Sequence, residues 1–175
     1  MRTIARLSAE EFEHCVKELA DLLADAVDDG ASLGFVTPFD HDAAVAWWRA
    51  QAPAVAAGSQ LVWACRLDGV LAGTVSLIPA AKANARHRAE IVKLMVHRDA
   101  RGQGLSRALL AAAEQAALDS GATLLLLDTE TGSTAEHVYL SGGWTRYGIV
   151  PDYAASPDGV LRDCSFFYKR LTPSG

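Results

Sequence analysis

The chain has little that would tie it to a membrane, a metal cluster or a nucleic-acid groove. No stretch approaches the ~20 consecutive apolar residues of a membrane-spanning helix; Ala108 to Ala113 comes closest, and Glu114 ends it. There are only 3 cysteines, Cys15, Cys65 and Cys164, widely spaced and odd in number. Without a CxxC pair they indicate neither a zinc knuckle nor a disulfide framework. The 5 histidines form no HExxH or other ligand spacing, so no metal is expected. Positive charge is also short: 16 Lys and Arg against 21 Asp and Glu give −5. That balance does not suit nonspecific binding to a phosphate backbone, though a local basic patch for a phosphorylated ligand is still compatible with it. The opening MRTIARLSAEEF turns polar at once, unlike a signal peptide, and a cytoplasmic location is expected.

What the chain does have is a globular composition. It is 175 residues long, 50% apolar and 21% charged, with 32 alanines. That excludes a disordered chain, suits one domain over 1–175, and favours helices over an all-β design. Thr3 to Leu7 reads as a strand. Ser8 with Glu11 forms a capping box before an apolar helical stripe to about Val27. Asp40 or Asp42 caps a second helix. Gln60–Arg66 and Leu71–Ile78 form a hairpin around Asp68-Gly69, and Pro79–Arg88 reads as a loop. Ala89–His97 is a long strand, a helix runs to about Leu118, and the four leucines from Leu124 to Leu127 read as a fully buried central strand. A short helix at Thr134–Leu140, a strand at Trp144–Val150, a loop at Pro151–Gly159 and a strand at Cys164–Leu171 complete the order. This predicts an α/β fold: a mixed sheet with helices on both faces.

The segment that carries chemistry is Arg101-Gly102-Gln103-Gly104-Leu105-Ser106, between a strand and a helix. Two glycines let backbone approach a ligand closely, and the first N–H groups of a helix favour anionic oxygens. Arg98 and Arg101 could add charge-assisted bonds. The segment is neither the GxGxxG dinucleotide fingerprint nor a Walker A loop. By spacing alone, a tight turn with solvated arginines stays open as the alternative.

Val96 through Leu110 resembles the acetyl-CoA-binding motif of the GCN5-related N-acetyltransferases, R/Q-x-x-G-x-G/A, with Arg101, Gly104 and Ser106 at its positions. Ser106 stands where the family has Gly or Ala. Ala135-x-x-x-Tyr139-x-x-x-Gly143-Trp144 resembles the family's AxxxYxxxGF, with Gly132 replacing a common Asn. The resemblance implies a twisted mixed sheet of the acyl-CoA N-acyltransferase fold, with acetyl-CoA as cosubstrate. A narrower likeness runs through Ala89–His97, Leu127–Glu130, the tail from Gly148 through Asp158-Gly159, and Phe167–Lys169. These segments resemble acetyltransferases that confer resistance to tabtoxin, a β-lactam toxin.

Several roles follow by resemblance. The cofactor would lie where the strands ending near His97 and Asp128 splay. Backbone at Met95 and Val96 would hold the pantetheine arm, and Arg98, Arg101, Gly102, Gln103, Gly104, Leu105 and Ser106 would surround the pyrophosphate. Tyr139 would protonate the departing thiolate; packing against the sheet is its alternative. An ammonium must lose a proton before it attacks a thioester. Glu90 and Asp128 stand equally as base or amine anchor, with a salt bridge to Arg88 or Lys93, or a helix cap, as their structural alternatives. Glu130 reads as helix-entry charge or rim.

Phe35, Phe39, Trp47 and Trp48 could wall the acceptor pocket. Adjacent helical residues point about 100° apart, so at most one tryptophan faces the cleft, and core packing is the favoured role for either. Asn84, Tyr153 and Asp158 could reach a polar acceptor. His97 reads as a structural group near the cofactor turn, and the cysteines as buried apolar groups. The leading function is N-acetylation of a small amine. Acetylation of a protein or peptide amine, and a non-catalytic acyl-CoA sensor, are the alternatives. A homodimer is compatible with the family, and no membrane or nucleic-acid partner is expected.

Overall fold

The structure is a computed structural model that describes residues 1–172; the last three residues of the expected 1–175 domain lie outside. In chain order the elements are β1 (Arg2–Arg6), α1 (Ala9–Asp28), α2 (His41–Ala56), β2 (Leu61–Leu67), β3 (Val70–Pro79), β4 (Arg88–Val96), α3 (Leu105–Asp119), β5 (Leu124–Glu130), α4 (Thr134–Ser141), β6 (Thr145–Ala155) and β7 (Leu161–Arg170). The strands form one 7-stranded sheet in the order β1-β2-β3-β4-β5-β7-β6. Every neighbouring pair is antiparallel except β4 and β5. That exception follows from the α3 crossover, since parallel neighbours need a long connection.

The helices cover both faces, as expected. Ser8 accepts from the Glu11 N–H and Glu11 answers at the Ser8 N–H, so the capping box starts α1. Asp40, not Asp42, caps α2. Phe12, Leu19, Leu22 and Leu23 of α1 pack with Trp48 of α2 over one face of β2–β4. On the other face Leu105, Leu109 and Ala113 of α3 pack with Leu125 and Leu127 of β5 and with Tyr139, Trp144 and Phe167. No helix among the described residues is long and apolar enough to cross a membrane.

Two expectations need correction. Only Leu125 and Leu127 of the four-leucine run are fully buried; Leu124 and Leu126 are half-covered on the α1–α2 side, because strand alternation sends them there. The stretch from Pro151 is not loop until Ser156. β6 runs on to Ala155, and an irregularity between Val150 and Ala154 absorbs Pro151 without a ladder donor.

β3 passes close under α3 at Gly73. A Cβ there would lie 3.0 Å from the Met95 carbonyl oxygen and 3.1 Å from Leu109 Cδ1. Gly73→Ala is therefore expected to cost about 1–3 kcal/mol, the usual range for overpacking. Denaturant unfolding that shows no loss would mean that β3 and α3 can separate freely.

Candidate active site

β4 and β5 pair only at Arg88–Leu124, Ala89–Leu125 and Glu90–Leu126. Past Glu90 they diverge. β5 stays on β7 as far as Glu130–Cys164, and β4 stays on β3 as far as Val96–Gly73. From Ile91 onward the β5-facing backbone groups of β4 have no strand partner among the described residues, which is how an extended ligand could add itself to the sheet. A bulge sharpens the divergence: between Val92 and Met95, β4 has Lys93 and Leu94 where β3 has only Val75. Lys93 adopts φ +53°. The extra residue inverts the alternation, so Ile91 points toward α3 and Met95 toward α1.

The divergence opens a cleft of about 270 Å³ between the α1–α2 loop at Leu33, β4 at Val92 and Lys93, the end of β5 and the start of β7. The loop is pinned over it. Thr37 donates from its N–H and its hydroxyl to the Pro157 carbonyl, at 2.9 and 2.8 Å.

Glu90 and Asp128 reach the same side of the sheet, because Ile91 and Leu127 are both committed to the α3 core. Partial burial and then the nearby Asp128 charge raise the Glu90 carboxyl above its usual range, against the pull of Arg88. Neither expected salt bridge of Glu90 forms among the described residues. Asp128 does not cap α4; Ser133 does. Asp128 instead accepts the Cys164 thiol at 3.3 Å. Burial, followed by that bond and the Asp128 charge, pushes the thiol up to about 12, so Cys164 serves as a neutral donor.

Tyr139 occupies the opposite side, under α4. It is 5% exposed, and its ring sits 6.0 Å from both Trp144 and Phe167. Burial and then Asp128 hold its phenol well above the ordinary value, so it stays protonated. α4 is anchored by a buried carboxylate: Glu136 accepts from the Gly132 N–H at 2.7 Å and from Arg146 Nη1 at 3.0 Å. Burial opposes its ionisation, but the Ser165 hydroxyl, Gly132 and Arg146 together keep its pKa low. Gly132, at φ +80°, thus turns a backbone donor to Glu136 at the position where the family has Asn.

The α3 turn fits a pyrophosphate. Ser8, Asp40 and Ser133 cap α1, α2 and α4 with side chains, whereas α3 begins at Gly104 with none, leaving its first N–H groups free. Gly102 and Gly104 sit at φ +77° and +73°, and a Cβ on either would meet nothing within 4 Å. Gln103 is exposed, Ser106 is half-buried in the first turn, and the Leu105 side chain is core, leaving only its N–H for a ligand.

Both arginines are already engaged by carboxylates. Arg98 Nε reaches Asp25 at 2.5 Å and Nη2 reaches Asp28 at 3.0 Å, while Arg101 Nη1 reaches Asp29 at 2.5 Å. The acidic end of α1 claims both. His97 joins this cluster 3.7 Å from Asp25 and caps the turn at Asp99, a structural role.

The acceptor-wall residues divide. Trp48 is fully buried and donates to the Leu19 carbonyl at 3.0 Å, so it is core and not wall. Trp47 is half-buried and meets Phe35 edge-on at 5.6 Å, with Phe39 stacked behind Phe35 at 4.4 Å. Tyr153 lines the cleft, braced on Phe166 at 5.1 Å. Asp158 is held locally by Ser156 Oγ at 2.6 Å and by the Val160 N–H at 3.0 Å. Asn84 lies in the short turn Ala83–Ala85 before β4, at the closed end of the β4–β5 pair, and does not line the cleft. Sequence reasoning missed Lys93, Cys164 and Arg162 as cleft residues. Nothing in composition marks a bulge or a strand register, which is what turns them inward. Among the described residues, no group of three His, Cys, Asp or Glu side chains could hold a metal ion.

Comparison with known proteins agrees with this architecture. A curated relative, an N-acetyltransferase encoded in the hisH-hisA intergenic region of Azospirillum brasilense, is 33% identical over 113 residues, 63% of this chain and 66% of that protein. The match therefore spans just under two thirds of the relative's length. The Salmonella typhimurium acetyltransferase yncA, solved with its cofactor acetyl-CoA, superposes with a TM-score of 0.75 at 21% identity, covering 100% of this chain and 96% of that one. An N-acetyltransferase from Staphylococcus aureus Mu50 gives 0.80 at 15% identity, with 98% and 99% covered. These two likenesses establish the shared fold. Residues 16–142, from the middle of α1 past the end of α4, match the acetyltransferase (GNAT) family, and the chain belongs to it.

Proposed function

We propose that the chain transfers the acetyl group of acetyl-CoA directly to a primary amine of a small molecule held in the cleft. The observation that carries this reading is the divergence of β4 from β5, with a protonated phenol on one side and two carboxylates on the other. Bound acetyl-CoA supplies the acyl group as an activated thioester. The free N–H groups at the start of α3 would hold its pyrophosphate, and the unpaired edge of β4 around Met95 and Val96 its amide arm.

The chain's own groups then manage protons. Glu90 or Asp128 accepts the proton of the acceptor ammonium, directly or through water. The raised pKa of Glu90 brings it closer to a working base than an ordinary carboxylate. Tyr139 holds its phenolic proton for the sulfur that leaves. Arg98 and Arg101 brace the turn through α1.

The decisive experiment is thiol release from acetyl-CoA against a panel of small amino acids, polyamines, peptides and a tabtoxin-type β-lactam. Amine-dependent release supports the transferase. Preference for the β-lactam would support the toxin-resistance reading, and preference for peptides would replace the small-molecule acceptor. Acetyl-CoA binding without release on any amine would favour an acyl-CoA sensor. Where release occurs, it should weaken as pH falls through the raised Glu90 pKa, and Glu90→Gln should remove that acid limb if Glu90 is the base.

A further inference from the structure

Lys93 is a cation in an unusual place. Strand alternation from Ile91 would turn it toward the α3 core; the bulge, at φ +53°, rotates it into the cleft. A non-glycine residue in the left-handed region is strained, and the surroundings must hold it there. Its ammonium donates to the Leu33 carbonyl at 2.7 Å and lies 5.0 and 5.3 Å from the ring centroids of Trp47 and Phe35. All three partners are neutral. No carboxylate lies within 4.0 Å of it among the described residues, whereas Arg66, Arg98, Arg101, Arg146 and Lys169 each have one. Burial lowers its pKa, only partly offset by the more distant Asp128. A partly buried charge without a counter-ion is costly unless an anion arrives to pair with it.

The other cation of the cleft is less available. Arg162 is held by Ser156 Oγ at 3.3 Å and Asp158 at 3.5 Å, and Glu130 and Asp163 share its wall. The cleft thus has carboxylates at Asp128, Glu130 and Asp163, and its less engaged cation at Lys93.

We propose that Lys93 is the anion-recognising residue of the acceptor site, so that the acceptor is a small zwitterion carrying a carboxylate or similar oxyanion near its amine. This rests on the acceptor cleft proposed above. The ammonium of such a molecule faces Asp128 while its anionic group pairs with Lys93. A diamine offers Lys93 no anion and so forgoes that contact.

The test compares L-alanine, L-glutamate and L-phenylalanine, each with its α-carboxamide, and also putrescine. Wild type, Lys93→Met and Lys93→Arg are assayed by thiol release, and the same compounds are titrated calorimetrically in the presence of CoA. At least one amino acid should exceed its amide about tenfold or more in kcat/KM, mostly through KM, as a charge-assisted hydrogen bond allows. Lys93→Met should bring that ratio to about one, and Lys93→Arg should retain part of it. Equal constants for every acid–amide pair in wild type overturn the proposal. So does a Lys93→Met variant that weakens acid and amide alike with a lowered Tm, which would make Lys93 a strut for the α1–α2 loop. Carboxylate-dependent binding lost in Lys93→Met, without turnover, upholds the anion site and sinks the transferase reading. Neither binding nor turnover sinks both.

Discussion

Tyr139→Phe should lower kcat by about 10²–10³, the loss typical of removing one aligned donor from a developing anion, and leave acetyl-CoA affinity within about twofold. The ring keeps its neighbours, Trp144 and Phe167 at 6.0 Å each, so the variant should fold and pack as before. Only the hydroxyl is lost. Because burial and Asp128 keep the phenol protonated across the physiological range, the donor is present at any working pH. Without it, negative charge on the leaving sulfur would develop beside an apolar cluster with no partner. Single-turnover kinetics separate this step from product release. Unchanged turnover would leave Tyr139 with a packing role alone and move the general acid elsewhere.

The second large effect is expected at the α3 turn. Gly104→Val should weaken acetyl-CoA binding about tenfold or more while the protein remains folded. Gly104 sits at φ +73°, where an L-residue costs roughly 1–2 kcal/mol and a β-branched one is most strained. Its missing Cβ faces open space, so there is no internal clash to unfold the chain. The side chain would instead stand where a phosphate approaches the uncapped N–H groups. Gly104→Ala should fall between the two, separating backbone strain from bulk. Calorimetric titration with acetyl-CoA reads the affinity, and thermal unfolding reads the strain. Normal affinity in folded Gly104→Val would place the pyrophosphate away from this turn.

Arg98 and Arg101 acquire partners that their sequence neighbours do not reveal. Their sequence neighbours suggest phosphate ligands. The fold brings the acidic end of α1 to them, and Asp25, Asp28 and Asp29 take their donors. Repulsion among these carboxylates at a helix C-terminus, where negative charge is unfavourable, is relieved by the same contacts.

By itself the sequence determined most of the elements and the order in which they follow one another. Local rules suffice where the cause is local: Ser8 and Glu11 start α1 because both caps lie within one turn, and Gly102 with Gly104 makes the strand-to-helix turn because other residues resist positive φ. Tyr139, Glu90 and Asp128 were legible as candidates through two motifs and one strand end. Tertiary structure alone decided which face each side chain takes. Trp48 and Trp47 are adjacent, yet Trp48 is fully buried on Leu19 while Trp47 is half-buried against Phe35 and Lys93, because successive helical positions point about 100° apart. Asn84 is polar and near Glu90 in sequence, but antiparallel pairing sends its turn to the closed end of the strands. Lys93 enters the cleft through one extra residue in β4, and Cys164 meets Asp128 through the register of β7 on β5. Bulges and registers are set by the whole set of strands packing at once, and no short window of residues encodes them.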